Sequence, residues 1–114
     1  MDYSAVSLLV NEIKKSDEYI RYQKLKENVT ADALTAALIK EYRNLQVTLQ
    51  LNAMNSTKPD ADDMTRFSGI NTLLFSKPEV SQFLLSEMQV HQILSEIYKL
   101  ITNEIGIQID FGLT

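Results

Sequence analysis

The chain has 114 residues, 45% of them hydrophobic, enough for one domain with an ordinary core and too few for two. Its 15 acidic residues outweigh 11 basic ones for a net charge of −4, which argues against a nucleic-acid backbone or an anionic lipid surface as the main partner. The absence of cysteine excludes disulfides, thiolate catalysis and cysteine-bound zinc or iron–sulfur centres, and suits a reducing cytoplasm.

The opening stretch MDYSAVSLLVNEIKK has an acidic second residue, no basic region and no cleavage-like motif, so it does not read as a signal peptide. No apolar run approaches the roughly 20 residues that cross a bilayer, and the expectation is a cytoplasmic protein. Three glycines and two prolines leave long uninterrupted intervals, a pattern for helices rather than a turn-rich β fold.

Five helices are predicted in a single domain spanning residues 1–114. The first, about Tyr3 to Lys15, places Tyr3, Val6, Leu9, Val10 and Ile13 on one apolar stripe. Ser16 is positioned to cap the second, whose first turn carries Asp17 and Glu18 at the positive end of the helix dipole and whose inward positions include Tyr19, Tyr22 and Val29. Thr30 or Asp32 restarts the chain into a long third helix, residues 31–52, with Leu34, Leu38, Tyr42, Leu45 and Leu49 as its stripe. NSTKPDADD, Asn55 to Asp63, reads as the main loop, with Asp60 or Asp62 as the next cap. The fourth helix would bury Met64, Phe67, Ile70, Leu74 and Phe75, although Gly69 in its middle costs about 1 kcal/mol of helix propensity. Ser76 and Glu79 have capping-box spacing around Pro78 and predict a second long helix over 77–105, closed by Gly106. Beyond it, Ile107, Ile109 and Phe111 alternate with polar residues as in an extended segment.

The expected architecture is therefore an all-α helical hairpin or bundle in which two long helices dominate. Their apolar residues exceed one stripe: Ile39, Val47 and Leu51 on the third helix, and Leu85, Ile93 and Leu100 on the fifth, fall off it. Such surplus positions are candidate subunit or partner contacts and favour a homodimer.

The sole histidine, His91, lies four residues after Glu87, so a helix places both on one face. With Val80 as origin and about 100° per residue, Phe83 and Val90 fall near about −60° and −80°, Tyr98 near about 0°, and Glu87 and His91 near about −20° and +20°. This predicts a buried polar network of Glu87, His91 and Tyr98, since a carboxylate facing a core needs a partner. A small metal-dependent or catalytic protein using Glu87 and His91 is the alternative, but HExxH spacing, a Gly-rich phosphate loop and a nucleophile elbow are all missing. No catalytic, cofactor-binding or metal-ligating residue is assigned. Lys14, Lys15, Arg21, Lys24 and Lys26 are interleaved with Asp17, Glu18 and Glu27, the pattern of a solvated face rather than a nucleic-acid patch.

The order of these features, from IKKSDEYIRYQ through VTAD and EYRNLQVTLQ to KPEVSQFLLSEMQVHQILSEIYKLITNEIG, resembles the YlbF/YmcA family of small bacterial helical proteins. The most specific pieces are Ser16 with Tyr19, the repeated Leu-Gln of Leu45, Gln46, Leu49 and Gln50, and Glu87 followed by Val90, Ile93 and Leu94. The resemblance implies a dimeric, non-enzymatic accessory factor of the kind that acts with ribonuclease Y in messenger-RNA processing and influences competence, sporulation and biofilm formation. Protein partners in such a complex are expected, with no direct nucleic-acid contact. Some members hold an iron–sulfur cluster through cysteines that this chain lacks. Glu87 matches the glutamate of the family's last helix, whereas His91 matches nothing in the pattern.

Overall fold

A computed structural model describes residues 1–107. Within them the protein is all-α, with α1 (Ser4–Lys15), α2 (Asp17–Thr30), α3 (Ala33–Met54), α4 (Ala61–Phe75) and α5 (Pro78–Ile105), and no strand among the described residues. The alternating tail past Ile107 falls outside them. Among the described residues the chain divides into two compact units, one built from residues 26–82 and the other from residues 1–25 together with 83–107.

In the middle unit, α3 packs on α4. Ile39 and Leu45 of α3, Ile70 and Leu74 of α4, and Val29 and Val80 are buried. The Tyr42 ring stacks on Phe67 at 5.1 Å between centroids and meets Phe75 edge-on at 6.1 Å, while Glu41 pairs with Arg66 across the two helices. The inward face of α3 differs from the predicted stripe: Leu34 is 65% exposed, whereas Thr35 beside it is buried. Thr35 tolerates that position because its hydroxyl is fully used. It donates to Asp32 Oδ2 at 2.6 Å and accepts from Lys77 Nζ at 2.7 Å, and Lys77 Nζ also lies 3.5 Å from Asp32 Oδ2. The same rotation buries Ile39, one turn on, in the chain's own core. Ile39 is thereby corrected from a subunit contact to a core residue.

Helix ends follow local chemistry. Asp32 accepts the Leu34 N–H and Asp60 the Asp62 N–H, the N-cap arrangement expected of aspartate. α3 closes with the Thr57 N–H on the Asn52 carbonyl and Ser56 at a φ of 54°, a Schellman-type turn. α4 runs unbroken through Gly69. The predicted capping box at Ser76 is corrected: the Ser76 hydroxyl donates back to the Leu73 carbonyl at 2.6 Å and ends α4, so α5 starts at Pro78 without it. The short Ser76–Lys77 connection leaves that hydroxyl within reach of the last carbonyls of α4, where accepting oxygens outnumber donors.

In the other unit, Ser16 serves both of its neighbours. Its hydroxyl donates to the Ile13 carbonyl at 2.6 Å, finishing α1, and accepts the Tyr19 N–H at 3.2 Å, starting α2. Tyr22 lies between Tyr19 and Phe83, stacked on Phe83 at 5.8 Å. Phe83, Ser86 and Val90 are the buried residues of α5 here, and Gly106, at a φ of 74°, closes the helix with the Ile107 N–H on the Thr102 carbonyl.

Candidate functional site

The Glu87 region sits on the α5 part of the terminal unit. Glu87 and Tyr98 are half-buried, and His91 is exposed. The expectation of a histidine inside the packed stripe is therefore corrected. Phe83, Ser86 and Val90 are buried at wheel positions of about −60°, −120° and −80°, so the inward direction lies well to one side of Glu87 and about a quarter-turn or more from His91. The polar residue at the centre of that face is Ser86, 1% exposed, whose hydroxyl donates to the Phe83 carbonyl at 2.7 Å. A serine that satisfies itself on its own helix is buried cheaply, whereas an imidazole or a carboxylate needs partners from outside. Among the described residues, no three His, Asp or Glu side chains come together as a metal-holding group.

A groove of about 720 Å³ opens between Asp17, Glu18 and Arg21 of α2 and Gln89, Gln92, Ile93, Ser95, Glu96 and Lys99 of α5. Carboxylates, cations and amides alternate along it, and Ile93 is its one apolar wall residue. Such a lining concentrates neither charge of one sign nor the apolar surface with a few convergent polar groups that marks a small-molecule site.

Exposed apolar surface is the more pronounced feature. Of the predicted contact residues, Val47, Leu51, Leu85 and Leu100 are all more than half exposed and Ile93 is half-buried. Val47, Leu51 and Met54 recur at four and three residues and form one outward stripe on α3. The residues missed as surface are those of α1: this helix buries none of its residues, and Tyr3, Val6, Leu9 and Val10 all stay exposed. The signal was present as a complete apolar stripe on a helix of 12 residues, but periodicity reports that a face is apolar without saying what covers it.

Two aspartates have their pKa held below the ordinary value. For Asp32 the main cause is the hydrogen bond from the Thr35 hydroxyl; desolvation opposes it, and the Leu34 N–H and Lys77 add to the lowering. For Asp2 it is the Ser4 N–H at 2.9 Å, at the start of α1.

Residues 3–106 match the family model described as control of competence regulator ComK, YlbF/YmcA. The chain belongs to this family. A UPF0342 protein of Halothermothrix orenii is 26% identical over 107 residues, covering 92% of this chain and 91% of that protein. The UPF0342 protein YheA of Bacillus subtilis is 23% identical over 99 residues, covering 87% and 85%. A Bacillus stearothermophilus structure described as a protein of unknown function (DUF964) superposes with a TM-score of 0.70 over 91% of each chain at 14% identity, a likeness of fold. For this YlbF/YmcA-family chain, the family description points to a competence-regulator-like protein and names no catalytic activity. No helix among the described residues is long and apolar enough to cross a membrane.

Proposed function

We propose that this YlbF/YmcA-family chain is a non-catalytic, cytoplasmic regulatory or adaptor protein that acts by association, pairing with a second copy and docking protein partners. The observation that carries this reading is α1. A helix of 12 residues is marginal on its own in water and depends on burial of its apolar face, yet Tyr3, Val6, Leu9 and Val10 stay 68%, 48%, 37% and 40% exposed in the single chain. A second protein surface over that face supplies the missing burial. The outward stripe of Val47 and Leu51 on α3 and the exposed Leu85 and Leu100 on α5 offer further contact area. Membership of the family supports an accessory role of the kind linked to ribonuclease Y-dependent messenger-RNA processing and to competence, sporulation and biofilm control.

Sedimentation of the purified chain, alongside a Val6→Asp, Val10→Asp variant, tests this. The native chain is expected at the mass of a dimer or larger and the variant at the mass of one chain. A native chain that stays monomeric across the accessible concentration range refutes self-association; capture of ribonuclease Y or its accessory proteins from the native cell would then decide the adaptor role separately.

A further inference from the structure

α1 buries none of its residues and leaves Tyr3, Val6, Leu9 and Val10 exposed. Past α5 the chain continues as IQIDFGLT, residues 107–114, in which Ile107, Ile109 and Phe111 alternate with polar neighbours; 108–114 lie beyond the described residues. Alternation of period two places these three side chains on one side wherever the backbone is extended, the shape of a strip that fits along an apolar helix face. Ile107, the root of the strip, is 48% exposed and belongs to the same compact unit as α1.

The described residues put α1 within reach of that root. Asp17 and Glu18, which follow α1 directly after Ser16, border one groove with Lys99 of α5. The C-terminal end of α1 therefore lies across that groove from the second half of α5, and from Lys99 the helix advances only about 9 Å to Ile105. The stretch 108–114 spans up to about 23–25 Å when extended, more than the axis of the 12-residue α1, which is about 18 Å long. Charge agrees with the match: Asp110 is the one charged side chain in residues 107–114, and the exposed Lys14 lies one turn beyond Val10 on the edge of the stripe.

We propose that the chain's own tail, residues 107–114, lies along the apolar face of α1 and competes there with a second copy, so that it restrains self-association. This rests on the association reading above. Occupancy by the chain's own tail wins over exchange between copies because the tether holds the tail at an effective concentration on the order of millimolar, above that of a dilute partner. The cover is displaceable, since the burial of a few apolar side chains offsets the ordering of the tail only narrowly. A second protein surface brings a face that is already folded. A face closed about nine-tenths of the time lowers the apparent association constant about tenfold, and about a hundredfold where both copies must open.

The test compares the full chain with an Ile109→Asp, Phe111→Asp variant, whose changes fall outside the five helices, by sedimentation over a dilution series with helical ellipticity as the control for folding. The variant is expected to associate about ten- to a hundredfold more tightly, and adding Val6→Asp and Val10→Asp to it is expected to return the mass to one chain. An unchanged association constant overturns the competition, and a weaker one overturns it in favour of a tail shared between copies; in both cases the association reading stands. A second measurement needs no association. The chain has no cysteine, so a Val10→Cys, Ile109→Cys protein at high dilution in oxidised glutathione is expected to close an intrachain disulfide, read as a peptide cross-link at the mass of one chain. Cross-links found only between chains, or none, overturn the tail contact. A native chain and a tail variant that both stay monomeric overturn the association reading and the competition with it, and the disulfide then decides the contact alone.

Discussion

Leu73 and Leu74 are adjacent in α4 and chemically identical, yet one is 57% exposed and the other 1%. Truncating each to Ala changes helix propensity equally, so the difference between the two variants isolates burial. Leu74→Ala removes three carbon groups from the α3–α4 core at about 0.8 kcal/mol each, and the cavity left behind raises the cost to about 3–4 kcal/mol. Leu73→Ala forfeits less than half of that transfer and leaves no cavity, for about 1 kcal/mol or less. For a chain of this size, Leu74→Ala should lower the Tm by about 10–20 °C and Leu73→Ala by about 5 °C or less. Denaturant and thermal unfolding followed by helical ellipticity provide the measurement, after two-state behaviour has been checked. Equal losses would refute the reasoning: they would mean that the α4 face carrying Leu73 is covered in the folded protein, and a loss that grows with protein concentration would identify the cover as another copy.

Gly69→Ala should stabilise α4 by about 1 kcal/mol, because an added Cβ meets nothing within 4 Å; a lower urea midpoint would contradict the open surface there. Ser56 holds a φ of 54° at the end of α3, so Ser56→Gly should relieve about 1 kcal/mol of left-handed strain and raise the midpoint, whereas an unchanged or lower one would place the strain elsewhere. Thr35→Val keeps the shape but removes the bonds to Asp32 and Lys77, an expected loss of about 1 kcal/mol at neutral pH. Asp32 has its carboxyl pKa lowered in the folded chain, so its contribution is fully present above the ordinary carboxylate range and is lost as the pH falls through the lowered value. The gap in urea midpoint between native and Thr35→Val protein should accordingly narrow on acidification. Asp32 is solvent-exposed, so the narrowing is small; a gap that widens would assign the bond energy to a different group.

The number, order and ends of the helices were legible in the residues because each depends on neighbours within a few positions. Ser16, Asp32 and Asp60 cap from their own side chains, and Gly106 supplies the left-handed turn that ends α5. Family membership was legible for the same reason, carried by helix-compatible motifs strung in order along residues 3–106. The candidate surface was legible only in part: of the surplus apolar positions on α3 and α5, Val47, Leu51, Leu85 and Leu100 are exposed while Ile39 is core, and the stripe on α1 was legible as apolar without a sign of whether it is covered. Tertiary structure decided which way each helix faces. Thr35 turns inward because Lys77, 42 positions away, meets its hydroxyl, and that contact has no trace in local periodicity. Ser86 takes the buried place that the spacing assigned to Glu87 and His91, since it satisfies its hydroxyl on its own helix. Hydrophobic spacing measures only apolar character, whereas the burial of a polar side chain also depends on its hydrogen-bond partner, which is distant in sequence for Thr35 and on the same helix for Ser86.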